Sequence, residues 1–241
     1  MKPSSSRHGS RASRSSAIQM RLQAWAICLL LVLPFAMTPA GATAAAPSTA
    51  AATTHVYLLR GVLNIFSLGL DDIAAKLQAQ GIPATVHNFM FWSSLADEAA
   101  AGYRSGRLKT IILVGHSSGA TALPDMIAKL ASLGVPVKLA IGLDSVFKTR
   151  LAGAAERYIN FYIASGAGEP VTRTQDFKGK LENVNVQSVP GVGHVSIEKN
   201  LIMQQKVINA VDAVVFRQKS PAAPAGASAA RHNAGVATTR N

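Results

Sequence analysis

From residue 54 to residue 216 the apolar positions follow two rhythms in turn. Short runs rich in β-branched and aromatic residues fall at 54–59, 83–89, 111–114, 137–143, 158–164 and 184–189, and each reads as a core strand. Between them the apolar residues space out to every third or fourth position. Leu70, Ile73, Ala74 and Leu77 form one such stripe, with Asp71 and Asp72 in its first turn and Gly81 as its stop. Leu95, Ala99 and Tyr103 form a weaker one. Residues 118–133 form a third, in which Pro124 should make a kink or belong to an irregular first turn, and 196–216 a last one with Ser196 as its N-cap. Gly81-Ile82-Pro83 and Gly134-Val135-Pro136 are one joint used twice: a helix-ending glycine, an apolar residue, and a proline that opens the next strand. Strands that are apolar almost throughout are buried on both faces, and their alternation with helices implies parallel crossovers. The expected fold is one three-layer α/β/α domain with a mostly parallel six-stranded sheet.

Hydrophobic residues make up 49% of the 241 positions and charged ones only 15%, enough apolar material for one sizeable core. The formal charge of +12 suggests nucleic acid only until it is located. All 12 acidic residues but only 16 of the 24 basic ones lie in 54–217, which leaves that segment at +4. It has no basic stripe with interleaved aromatics, so no nucleic-acid partner is expected.

The surplus charge belongs to the ends. Residues 1–46 read as a signal peptide: Arg7, Arg11, Arg14 and Arg21 precede the apolar run 24–33, and Ala42-Thr43-Ala44 offers an A-x-A cleavage site. The run is too short to span a bilayer comfortably and Pro34 interrupts it, so no stable transmembrane span is expected after cleavage. Met20 would head a compact signal by itself, and either start gives the same mature chain. Cys28, the only cysteine, leaves with the signal, so neither a disulfide nor a reactive thiol is expected in the product. The address predicted is periplasmic or secreted. Residues 47–53 then read as a short linker, 54–217 as the domain, and 218–241 as an Ala/Pro-rich tail of disordered composition.

Candidate chemistry sits at one joint. The apolar run 111–114 ends at Gly115-His116-Ser117-Ser118-Gly119, and a helical pattern follows at once. A serine hydroxyl becomes a usable nucleophile when a tight strand-to-helix turn holds it clear of the backbone. Such a turn crowds its neighbours, so glycines, here Gly115 and Gly119, fit two residues to either side. The helix N-terminus presents amides where an oxyanion would form. One oxyanion donor is then the Ser118 amide. The other is expected from the loop after the first strand, near Val62.

A serine nucleophile needs a base, and histidine suits that task. His8 and His232 lie in the two ends, His55 opens a strand, and His87 lies near the end of one. His116 adjoins the serine on a turn where adjacent side chains diverge. His194 follows the last strand on the Gly-rich loop Pro190-Gly191-Val192-Gly193, and it is the candidate base. The base needs a carboxylate. Asp144 ends the strand after the nucleophile strand, while Glu169, in the loop after the fifth strand, is the alternative acid. Arg60, at the first strand end, could bind an anionic substrate group or make a surface ion pair.

Together these residues resemble the α/β-hydrolase superfamily: the elbow at 115–119, the chain order Ser117, Asp144, His194, and a glycine after the first core strand. The resemblance covers 54–217. It implies a sheet flanked by helices, no metal or cofactor, and hydrolysis of a small-molecule or lipid ester, or a thioester, through an acyl-enzyme on Ser117. Two departures stand out. The leading hairpin of larger members is missing, which brings the chain closer in size to cutinase-like enzymes. The acid also follows the strand directly after the elbow strand, whereas many members place it one strand later, and this keeps Glu169 open. No long insertion separates Asp144 from Tyr158, so an uncapped site is expected, shielded by loops such as 165–183. Two other functions would fit the same scaffold. One is a non-catalytic binding protein of the cell envelope; the other is an acyltransferase that shares the first half of the mechanism.

Overall fold

A computed structural model describes residues 48–216, so the signal peptide read in 1–46 and the tail read in 218–241 lie outside the described residues. The elements run α1 (Thr49–Ala52), β1 (Thr54–Arg60), α2 (Gly69–Ala79), β2 (Ala84–Asn88), α3 (Trp92–Arg104), β3 (Thr110–His116), α4 (Ser118–Ser132), β4 (Val137–Leu143), β5 (Arg150–Leu151), β6 (Ala154–Tyr162), β7 (Thr172–Arg173), β8 (Lys178–Asn185) and α5 (Leu201–Val215). Single 3₁₀ turns at Asn64–Ser67 and Phe89–Phe91 follow β1 and β2.

The period of two along the strands divides the core. Val56, Leu58, Ile112, Val114 and Ile141 face α2 and α5, where Leu70, Ile73, Met203 and Val207 cover them. Their neighbours Tyr57, Leu59, Ile111, Leu113 and Ala140 face α3 and α4, against Leu95, Leu123, Met126 and Ile127. Each fully buried Val, Leu, Ile or Met among them contributes about 1.5–3 kcal/mol over its exposed state. Both faces being covered is what the unbroken apolar strands required.

Six strands pair in the order β2-β1-β3-β4-β6-β8, and every pairing is parallel. The chain moves from β1 outward to β2, then crosses back to β3 on the other side of β1. The order therefore reverses between β1 and β3, and loops leaving two such strands splay apart into a crevice. The turn at Ser117 and the loop 61–68 both leave the sheet there. Among the described residues no strand precedes β1.

Several boundaries differ from the sequence reading. The fifth strand, expected at 158–164, begins at Ala154, and the sixth, expected at 184–189, is Lys178–Asn185. The last strand is an edge: Lys178, Gly179 and Lys180 are exposed, so it carries no apolar run to read. Gly179, at φ 140°, sits where β6 and β8 shift register between Ala154 and Arg157. Residues 165–183 are consequently no single shielding loop, because β7 and the start of β8 lie within them. Residues 47–53, expected as a linker, contain α1, whose Ala51 is fully buried in the core. The final helix starts at Leu201, not near Ser196. Asn200 caps it, accepting from the Ile202 and Met203 amides, while the Ser196 hydroxyl is engaged with the Gly191 carbonyl and the Gly193 amide. Pro124 lies inside α4, which runs on to Ser132.

Candidate active site

Ser117 stands at the hinge between β3 and α4 with φ 57° and ψ −123°, a conformation few residues other than glycine adopt. The crowding around it accounts for the glycines. A Cβ on Gly119 would overlap the Leu59 carbonyl oxygen of β1, and one on Gly115 would collide with the Gly119 carbonyl. Gly61 packs from the other side, where a Cβ would stand 3.1 Å from Ser117 Cβ.

Three side chains form one hydrogen-bonded line. His194 Nε2 lies 3.0 Å from Ser117 Oγ, and His194 Nδ1 lies 2.6 Å from Asp144 Oδ2. The carboxylate can only accept, so Nδ1 carries the ring proton and Nε2 is the free base facing the hydroxyl. Asp144 is fully buried, at a positive φ of 51°. Its other oxygen, Oδ1, accepts the Ile163 amide at 2.9 Å. Both carboxylate oxygens are thereby satisfied without a cationic side chain. Gly168 lies against this carboxylate, where a Cβ would overlap Asp144 Oδ1.

Glu169 follows in the same loop but is exposed. Its backbone carbonyl takes the Asn160 amide, and no contact joins its carboxylate to His194. Arg60 pairs with Asp71 at the start of α2. Ser118 opens α4, and among the described residues neither its amide nor that of Val62 is bonded to a protein acceptor. Apolar side chains are exposed on the loops that carry the site residues: Val62, Leu63 and Ile65 after β1, Phe147 after β4, and Val195, next in sequence to His194.

One feature escaped the sequence reading. His116 does diverge from Ser117, but it turns beneath the site, where it is only 2% exposed. Its Nδ1 lies 2.8 Å from Ser67 Oγ, its Nε2 lies 2.8 Å from the His194 carbonyl oxygen, and the two imidazoles are 5.3 Å apart. Burial lowers the His116 pKa to about 4, against the raising effect of its bond to the His194 backbone. The carboxylate of Glu198, fully buried, comes within 3.7 Å of His116 Nε2 and 3.4 Å of Lys199 Nζ; burial raises its pKa. Ser67, His116 and Glu198 thus echo the Ser-His-carboxylate pattern, yet Ser67 is 1% exposed and no substrate can reach it. The available signal was the lone hydroxyl at Ser67 within the otherwise mostly apolar stretch 62–68.

No protein-family model and no curated protein matches the chain. Among solved structures it is similar to a protein from Xanthomonas campestris pv. campestris assigned provisionally as a hydrolase of the alpha/beta superfamily, at 13% identity and a TM-score of 0.41, over 66% of this chain and 98% of that one. A structure of RedJ with a PEG molecule bound in its active site gives 12% identity and a TM-score of 0.41, over 75% and 97% of the two chains. A third, from work on the metagenome-derived lipolytic enzymes LipS and LipT, gives 10% and 0.38, over 67% and 95%.

Proposed function

We propose that this chain is an exported serine hydrolase that cleaves a carboxylic ester or thioester through an acyl-enzyme on Ser117. The observation that carries the reading is the hydrogen-bonded line from Asp144 through His194 to Ser117, with the base in the tautomer the chemistry needs. Ser117 Oγ attacks the substrate carbonyl carbon as its proton passes to His194 Nε2. Asp144 stabilises the imidazolium that results. The carbonyl oxygen, now an oxyanion, takes up the free amides of Ser118 and Val62. Collapse breaks the bond to the leaving alcohol or thiol, which departs with the proton from His194. Water then attacks the acyl carbon, giving its proton to His194; the Ser117 Oγ–acyl bond breaks as Oγ takes that proton back, and the carboxylic acid leaves.

Exposed Val62, next to Gly61, and Val195, next to His194, favour an ester with an apolar arm over a highly polar one, because they would lose contact with water as the substrate seats. The test is turnover of p-nitrophenyl esters of graded chain length by the purified protein, with Ser117→Ala expected to abolish it. A folded wild-type protein that turns over neither the esters nor a thioester panel would leave the alternative, a non-catalytic binding protein.

A further inference from the structure

The wiring of His116 has only one self-consistent direction. The His194 carbonyl can only accept, so His116 Nε2 carries the hydrogen and Nδ1 is a lone pair. Ser67 must then donate its hydroxyl proton to Nδ1, and its oxygen accepts the Gly61 amide at 3.0 Å. The chain reads Gly61 N–H to Ser67 O–H to His116 Nδ1, then His116 Nε2–H to the His194 carbonyl. Its three anchor points are the residue before Val62, the residue before Ser117, and the backbone of the base itself.

We propose that His116 is a positioning residue: through Ser67 and the His194 carbonyl it holds the loop bearing the Val62 amide and the loop bearing the base in fixed register around Ser117. This rests on the acyl-enzyme reading above.

Among the described residues, the loop after β1 makes few other hydrogen bonds that reach beyond it. Val62, Leu63, Ile65 and Leu68 are each more than half exposed, whereas Ser67 is turned inward. The bonds from Asn64 to Gly61 and from Asp71 to Leu68 are local to the loop or its junction with α2. The tie from Asn88 to Asn64, at the end of β2, is exposed. Among the described residues, the Ser67–His116 bond is the side-chain hydrogen bond that joins the loop to the elbow. On the other side, Asp144 fixes how the His194 ring is turned; bonds around Ser196 and Asn200 shape its loop from within, and the carbonyl bond to His116 ties its backbone to the elbow. A misplacement of about 1 Å at a reacting group lowers the rate by about 10²-fold. A neutral ring is required, because a proton on Nδ1 would reverse the Ser67 hydroxyl and leave its hydrogen without an acceptor in a buried site.

The test compares Ser67→Ala, Ser67→Thr, His116→Gln and wild type, with kcat expressed per site titrated by a fluorophosphonate. Ser67→Ala and His116→Gln should lower kcat by about 10²-fold with KM changed less than about threefold. Ser67→Thr, which keeps the hydroxyl, should recover most of the rate. Wild-type kcat per titrated site in folded Ser67→Ala or His116→Gln would overturn the proposal. So would losses that appear only as fewer titratable sites or a lower melting temperature, since those mark a purely structural role. If Ser67→Ala does not fold, the comparison of Ser67→Thr with His116→Gln decides by the same measures. A wild-type protein inert to the fluorophosphonate is a different result: it removes the acyl-enzyme reading before any variant is compared.

Discussion

Two carboxylates competed for one histidine in the sequence, and at the scale of the residue their surroundings separate them. Asp144 is fully buried, bonded to His194 and to a backbone amide, while Glu169 faces solvent. If Asp144 holds the base in its working tautomer, Asp144→Asn should lower kcat by about 10⁴-fold with the fold retained, and Glu169→Gln should leave most activity. Steady-state kinetics on the two variants check this, and the reverse pattern would hand the role to Glu169. His116 makes a prediction about stability. Its pKa of about 4 in the fold lies below the ordinary histidine value of 6.5, so between these values the unfolded chain binds the extra proton. Its contribution to stability is therefore full above pH 6.5 and declines as pH falls toward 4, by about 3 kcal/mol across the window. Glu198 acts in the opposite sense: its raised pKa gives a contribution present below the ordinary carboxylate value and lost as pH rises through the folded value. His55 and His87, both lowered mainly by burial, share the window but are common to wild type and variant. Urea unfolding at pH 7 and pH 5 should thus show a smaller acid-side loss in His116→Gln than in wild type. Equal losses would mean that His116 is not neutral in the fold.

At the scale of the element, the elbow works only because β1, β3 and α4 meet almost backbone to backbone. The nearest approach is at Gly119, whose missing side chain makes room for the Leu59 carbonyl. Gly119→Ala should destabilise the domain by about 3 kcal/mol, the upper range for forcing volume into a packed interior. Thermal unfolding measures it, and an unchanged melting temperature would mean that the elbow can open. What the sequence disclosed follows the same logic. The strands β1, β3 and β4 are buried on both faces, so their apolar runs marked them closely. The edge strand β8 is polar on its exposed side, and the two-residue pair β5 and β7 has no period at all; none of the three left a readable pattern. The serine, aspartate and histidine could be singled out because each follows a strand end. Ser67 and His116 could not be paired, because 49 residues separate them and only the crossover between β1 and β3 brings them together.

At the scale of the whole molecule, one end of the parallel sheet gathers the loops after β1, β3, β4 and β8, with Ser117, Asp144 and His194 all there. Among the described residues no helix is long and apolar enough to cross a membrane. The proposed export puts the mature N-terminus near Ala44–Ala46, just ahead of α1, and N-terminal sequencing of protein from native cells should find it there; a retained Trp25 would contradict it. The central claim is a covalent bond to Ser117, and intact-protein mass spectrometry during turnover of a p-nitrophenyl ester tests it most directly. The account predicts a transient species heavier by one acyl group, mapped to Ser117 by peptide analysis and absent from Ser117→Ala. Turnover without that species, or an adduct on any other residue, would contradict it.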